Sequence, residues 1–329
     1  MQFKHAAIAI TLTAFSVPCL AQGQPASKVM GQAFPTKPIR MIVGFTAGSE
    51  VDTIGRMIAH EMGEKLGQRV VVDNRPGAGS TVAGAIVAAA NADGYTLFFN
   101  SVSHAATPAL YPNAPFETLR DFAGISQATS LPNVLITAPA GGLKSVKELI
   151  AMVKQKSGMN YGHAGVGSGT HITGELFRQM AGLTLTHVPY KGVPEVITDT
   201  VTGRLNYAFA PIGNTLPFIK EKRLAALAVS TAARSPALPD VPTVGEAGLP
   251  GYVFDHWYGL FTQAKTPRPV VNQLSQEVAR ILSMSDIRDK ISIRGAVVKP
   301  SSPEAFDKFV RSEVEKITKV MQAGGVKIN

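Results

Sequence analysis

From Ile39 onward the chain alternates short β-rich runs with stretches of helical spacing, and this constrains the fold more than any other feature. Residues 39–45 read as a strand, and Ile54, Met57, Ile58, Met62 and Leu66 then fall on one helix face. Residues 70–72 and 95–99 read as further strands, the latter after an Asp93-Gly94 turn. Ser145 and Glu148 form a capping box that opens a helix running to about Lys156. Residues 160–164 read as a strand, followed by a helix with Ile172, Leu176 and Met180 on one face. Residues 185–190, 205–209 and 224–229 are strand candidates, and Pro194 suits the first turn of a helix ending near Gly203. An extended run over 252–262 precedes amphipathic helices at about 269–284 and 303–321. Such alternation argues for an α/β fold with largely parallel sheets.

The length of 329 residues exceeds one ordinary core and fits two domains. Hydrophobic residues make up 45% and charged residues 17%, which excludes a disordered chain. The single cysteine excludes a disulfide framework and a cysteine-based zinc site. The net charge of +9 permits acidic ligands or nucleic acid. However, the cations are scattered, as at Lys144, Lys147, Lys154 and Lys156, and no nucleic-acid module accompanies them. No nucleic-acid partner is expected.

The N-terminus has the shape of a secretory signal peptide. Lys4 and His5 precede an apolar run over residues 6–15, and small residues lead to a cut expected after Ala21. Cys19 would leave with the peptide. Residues 22–34 read as a polar tether. In a bacterium, this places the remaining chain in the periplasm.

Two segments share one design. Strand 39–45 leads into Thr46-Ala47-Gly48-Ser49 and then a helix. Strand 160–164 leads into Gly165-Val166-Gly167-Ser168-Gly169-Thr170 and then a helix. Small residues let backbone N–H groups approach a ligand, and a helix N-terminus adds free donors and partial positive charge. Each loop is therefore a candidate anion cradle, although Gly-rich loops also serve tight turns. Facing each other across a cleft, the two could clamp a carboxylate.

Enzymatic patterns fail at these loops. A dinucleotide fingerprint breaks at Thr170, and the stretch from Gly77 breaks at Val82. No phosphate-binding Gly-Lys-Ser/Thr occurs. The nucleophile elbow fails at Ser168, Ser49 and Ser80, which follow Val166, Ala47 and Ala78 at the required glycine position. Ser168 with His171 is the one nearby pair a hydrolase could use. His60, His104, His163, His171, His187 and His256 show no compact metal-ligand spacing, so no metal or cofactor is expected. His171, beside the second loop, is a candidate polar contact to a ligand.

A series of motifs carries a resemblance over nearly the whole chain from Phe34. Asn74-Arg75-Pro76-Gly77-Ala78-Gly79, Asp93-Gly94-Tyr95-Thr96-Leu97 and His187-Val188-Pro189-Tyr190-Lys191-Gly192 occur in order. Leu238-Pro239-Asp240-Val241-Pro242-Thr243, Glu246-Ala247-Gly248-Leu249-Pro250-Gly251-Tyr252 and Trp257-Tyr258-Gly259 complete them. The chain resembles the extracytoplasmic receptors of tripartite tricarboxylate transporters, the Bug-type binding proteins. The resemblance implies a two-lobed periplasmic binding protein of type II-like α/β architecture. Each lobe would be a mainly parallel sheet flanked by helices, with two crossing hinge strands. Lobe 1 would combine residues 35–132 and 254–329, and lobe 2 would be residues 133–253. It further implies a monomer that is not an enzyme, binding a small mono-, di- or tricarboxylate, possibly aromatic, and serving integral membrane permease subunits. A ligand-loaded partner of a membrane sensor is the alternative role.

On this chain the implied ligand contacts are Ala47, Gly48 and Ser49 in the first loop and Gly167, Ser168, Gly169 and Thr170 in the second. Ser80, Ser101 and Ser103 would line the first lobe's side, and Tyr190 and the 211–214 loop, with Gly213, the second. Residues 255–258 would lie near the hinge. The first loop departs from the family's Pro-Phe/Tyr-x-Pro-Gly-Gly-x-x-Asp. Gly44, Ala47 and Ser49 replace both prolines and the second glycine, and Glu50 brings a negative charge beside the proposed site.

Overall fold

The computed structural model describes residues 34–325; the expected signal peptide and most of the tether lie outside the described residues. Residues 34–325 fall in one compact unit built on two sheets.

The first sheet starts with β1 (Ile39–Val43), buried along nearly its full length. It feeds α1 (Glu50–Leu66), whose Ile54, Ile58 and Met62 pack inward as the spacing required and which ends at a left-handed Gly67. β2 (Val70–Asn74) returns parallel to β1. After α2 (Thr81–Ala88), β3 (Thr96–Ser101) pairs parallel to the other side of β1 and leads into α3 (Ser103–Leu110). β4 (Phe122–Leu131) completes the first pass through this sheet.

The chain then enters the second sheet with β5 (Asn133–Thr137) and α4 (Val146–Gln155). The Ser145 hydroxyl accepts from the Glu148 N–H, but the Glu148 carboxylate accepts from Lys144 N–H rather than Ser145. β6 (Asn160–His163), α5 (Gly169–Met180), β7 (Thr186–Pro189), α6 (Val193–Val201), β8 (Tyr207–Pro211), α7 (Ile212–Lys220) and β9 (Ala225–Val229) follow. The 211–214 segment is therefore no loop: Pro211 ends β8, and Gly213 and Asn214 lie in the first turn of α7.

β10 (His256–Gln263) re-enters the first sheet, followed by α8 (Arg268–Ser283), α9 (Ser285–Ile293), β11 (Val297–Val298) and α10 (Pro303–Ala323). The strand orders are β11-β4-β10-β3-β1-β2 and β7-β6-β8-β5-β9. As expected, most strands of each sheet point one way, β1, β2, β3 and β4 in the first and β6, β7, β8 and β9 in the second, with β10, β11 and β5 reversed. β10 runs antiparallel to β3 and β4, and β11 to β4. β5 runs antiparallel to β8 and β9. The βα units around β1 and β6 are parallel, as short crossover helices demand, whereas the strands by which the chain enters and re-enters a sheet lie antiparallel to their neighbours.

Aromatic side chains fill the cores. Trp257 is fully buried, packs against Phe306 and Phe309, and donates its indole N–H to Glu313 Oε2 at 3.0 Å. It is a core residue with no face left for a ligand.

Candidate functional site

β1 and β6 are parallel strands whose C-terminal ends carry the two Gly/Ser loops, the place where open α/β sheets bind ligands. The loops face one small, tight cavity. It is lined by Phe45, Ser49, Glu50, Val51 and Tyr258, by Ala164, Ser168, Gly169, Thr170, Val193 and Pro211, and by Ser101 and His256.

The backbone donors at the two loops divide sharply. In the first loop, Gly48 N–H is held by Asp52 Oδ2 at 3.0 Å, Ser49 N–H by Thr46 O and Glu50 N–H by Asn214 Oδ1 at 2.9 Å. In the second, Gly167 N–H goes to His171 Nδ1 at 3.2 Å, Ser168 N–H to Gly165 O, and His171 N–H to Ser168 Oγ at 3.2 Å. Four donors have no acceptor among the described residues: Val51 and Asp52 in the first turn of α1, and Gly169 and Thr170 in the first turn of α5. Val51, Gly169 and Thr170 line the cavity. The open positive ends of two helices thus meet at one small space.

Of the expected contacts, Ser49, Ser101, Ser168, Gly169 and Thr170 line this cavity. Ser80 and Tyr190 line an adjoining groove that shares Phe45 and Ala164 with it. Ala47 and Gly48 are exposed on the outer side of their loop. Ser103 is locked in a buried network in which Asn100 Nδ2 donates to Ser80 Oγ and Ser101 Oγ donates to Ser103 Oγ. Gly167, His171 and Gly213 line neither space. His171 instead turns toward His163 and His187 behind the loop.

Asp52 braces the first loop. Burial alone would raise its carboxyl, but hydrogen bonds from Arg56, the Gly48 N–H and Asn74 outweigh this and hold it low. Glu50 is fully buried and pairs bidentately with Arg294, at 2.6 Å from Nε and 2.5 Å from Nη2. Burial pushes the Glu50 carboxyl up and the guanidinium offsets only part of that. The helix dipole explains an acidic residue in this turn, but not its burial; Arg294 does.

The hydrogen bonds around His256 fix its tautomer. Thr173 Oγ1 donates to Gly169 O at 2.6 Å and so accepts from Asn133 Nδ2, also at 2.6 Å. That turns Asn133 Oδ1 toward His256 Nδ1, 3.1 Å away, which must carry the ring proton. His256 Nε2 is then a bare acceptor, buried and without a partner. Burial pushes the pKa of this ring down to about 3, so it is neutral at neutral pH. The ring packs against Gly169 so tightly that any side chain there would strike it. Residues 255–258 suggest the hinge; nothing local announces that His256 and Tyr258 line the cavity.

Two helix-flanked sheets with their loops closed over one cavity define the two-lobed periplasmic-binding-protein fold. A family model described as tripartite tricarboxylate transporter family receptor matches residues 54–326, and the chain belongs to that family of substrate-binding proteins, which are not enzymes. A relative from Pseudomonas sp. (strain P51), described as a UPF0065 protein in the tcbD-tcbE intergenic region, is 34% identical over 88% of this chain and 87% of its own length. The structure of R. palustris Rpa4515 with adipate is 31% identical with a TM-score of 0.86, over 90% of this chain and 100% of that one. MatC (Rpa3494) from Rhodopseudomonas palustris with bound malate is 32% identical with a TM-score of 0.84, over 87% of this chain and 99% of that one.

Proposed function

We propose that this protein is a periplasmic receptor that closes two lobes over a small organic carboxylate and delivers it to a tripartite tricarboxylate-type permease. Lobe 1 comprises residues 35–132 and 254–329 and lobe 2 residues 133–253; residues 1–21 act as the export signal, and the receptor works as a monomer. The observation that carries this reading is the set of four unpaired N–H groups at Val51, Asp52, Gly169 and Thr170, on two facing helix termini. The adipate and malate bound to the two similar structures support a carboxylate ligand.

The energetics fit. Micromolar affinity needs about −8 kcal/mol. Each N–H bond to a charged oxygen contributes about 1.5–3 kcal/mol, so three or four of them with some buried ligand carbon reach that value. Glu50 and His256 line the same cavity, and His256 keeps an unpartnered acceptor at Nε2. A ligand that satisfies both sets brings one carboxylate to the helix termini and a hydroxyl or ammonium to the acceptors. A second carboxylate placed beside Glu50 would be repelled.

A thermal-shift screen of refolded, ligand-free protein tests this against aliphatic, aromatic and amino-acid carboxylates and their matched amides. A ligand at 100 times its Kd adds about 2.7 kcal/mol of stability. Stabilisation by an acid but not by its amide is expected. Equal shifts by acid and amide would remove the carboxylate clamp.

A further inference from the structure

His163, His171 and His187 are scattered in sequence, yet the fold gathers them. His163 ends β6, His187 lies in the neighbouring edge strand β7, and His171 reaches them from the first turn of α5. One nitrogen from each ring lies within 4.8 Å of those of the other two, and His163 Nε2 stands 2.9 Å from His187 Nδ1. His163 and His171 are completely buried, and His187 is exposed. His171 Nε2 has no hydrogen-bond partner. Three imidazoles in mutual contact, with a buried nitrogen unpaired, are a costly arrangement unless something occupies the space between them.

We propose that these three histidines form a site for a divalent transition-metal ion of the zinc type, with a fourth position open to water beside His187. Imidazole nitrogen suits zinc, copper and nickel far better than the hard cations. Zinc–nitrogen bonds of about 2.0–2.1 Å in a tetrahedral site hold ligand nitrogens about 3.3 Å apart, so the rings need only modest adjustment. His187, exposed on an edge strand, is free to make it and provides the path for entry.

The site also touches the loop in front of it. His171 Nδ1 accepts from the Gly167 N–H, which leaves the ring proton on Nε2. Metal at Nε2 moves that proton to Nδ1 and ends the Gly167 contact, two residues before the free N–H of Gly169. An occupied site therefore changes the second cradle from behind.

Tag-free full chain, stripped with a chelator, is titrated calorimetrically with Zn2+ at neutral pH, and Co2+ serves as a spectroscopic probe of tetrahedral nitrogen ligation. One equivalent is expected to bind, weakened on the order of 100-fold in both His187→Gln and His163→Ser and unchanged in His60→Gln, with circular dichroism confirming that all are folded. His187 is exposed, so His187→Gln preserves the core. Failure of the wild type to bind one equivalent, or equal binding by folded His187→Gln, overturns the site. No carboxylate is present in the titration, so its outcome is separate from that of the receptor reading.

Discussion

The Glu50 carboxylate lies against the Cα of Gly213 so closely that a side-chain carbon at position 213 would collide with both carboxylate oxygens. Glu50 opens α1, which follows β1 of the first sheet, and Gly213 lies in the first turn of α7, which follows β8 of the second, so this contact joins the two sheets' elements. Asn214, one residue on, accepts from Glu50 N–H and donates to Gly48 O at 3.1 Å.

Gly213→Ala therefore acts on closure. The position has no left-handed backbone demand, and alanine suits a helix better than glycine. Ligand binding measured by calorimetry is expected to weaken at least tenfold, about 1.4 kcal/mol. The melting temperature of ligand-free protein should change little. An unaltered Kd would show that the Glu50–Gly213 contact is absent from the ligand-bound form.

Glu50→Gln leaves the Arg294 guanidinium without its charge partner. Breaking a fully buried pair costs about 3–5 kcal/mol. The Arg294 side chain is 27% exposed, which places this one near or below the lower end. Glu50→Gln combined with Arg294→Met should recover most of the loss, because neither charge then remains. Urea denaturation of the three variants decides this: equal stability of wild type and Glu50→Gln would mean that the pair contributes nothing net.

His104 sets a pH dependence. Its ring is buried among Phe98, Phe122 and Phe261, and burial pushes its pKa down to about 3 from 6.5. Below pH 6.5 the unfolded chain takes up this proton while the folded chain refuses it until about pH 3. Its contribution is therefore present above pH 6.5 and declines as pH falls toward 3, by up to about 1.4 kcal/mol per pH unit. His104→Leu should flatten the stability–pH curve across this window by about one proton. An unchanged slope would mean that the ring already binds a proton in the fold.

The bare Nε2 of His256 predicts selectivity. A hydroxy acid that fits the cavity should bind at least tenfold more tightly than its deoxy analogue, as expected for one paired buried acceptor. In His256→Phe the two should bind alike. Retained discrimination would assign the hydroxyl to another group, with Glu50 next in line.

Much of the frame was legible because it is local. Ile54, Ile58 and Met62 mark α1 by spacing alone, Ser145 caps α4, and Pro303 sits in the first turn of α10. Both cradle loops could be read as strand, small residues and helix. What local reading blurred was which donors stay free, because Asp52, Asn214 and His171 consume the loop N–H groups that sequence favoured. Arg294 pairs with Glu50 across 244 positions, and no local pattern records such a partner. The reversal of β10 escapes local reading for the same reason: it joins β3 and β4 after the whole second sheet has intervened, and its direction is set by that return.

That return has a consequence for how the chain reaches its shape. Every strand of the second sheet comes from the unbroken stretch 133–229, whereas the first sheet lacks an inner strand until β10 arrives at His256–Gln263. Contacts close in sequence form sooner than distant ones. A chain emerging from its N-terminal end thus holds its first four strands as an unfinished sheet, with β3 and β4 each missing a neighbour, while the inserted sheet can complete itself. The oldest part of the polypeptide therefore waits for a strand that is made late.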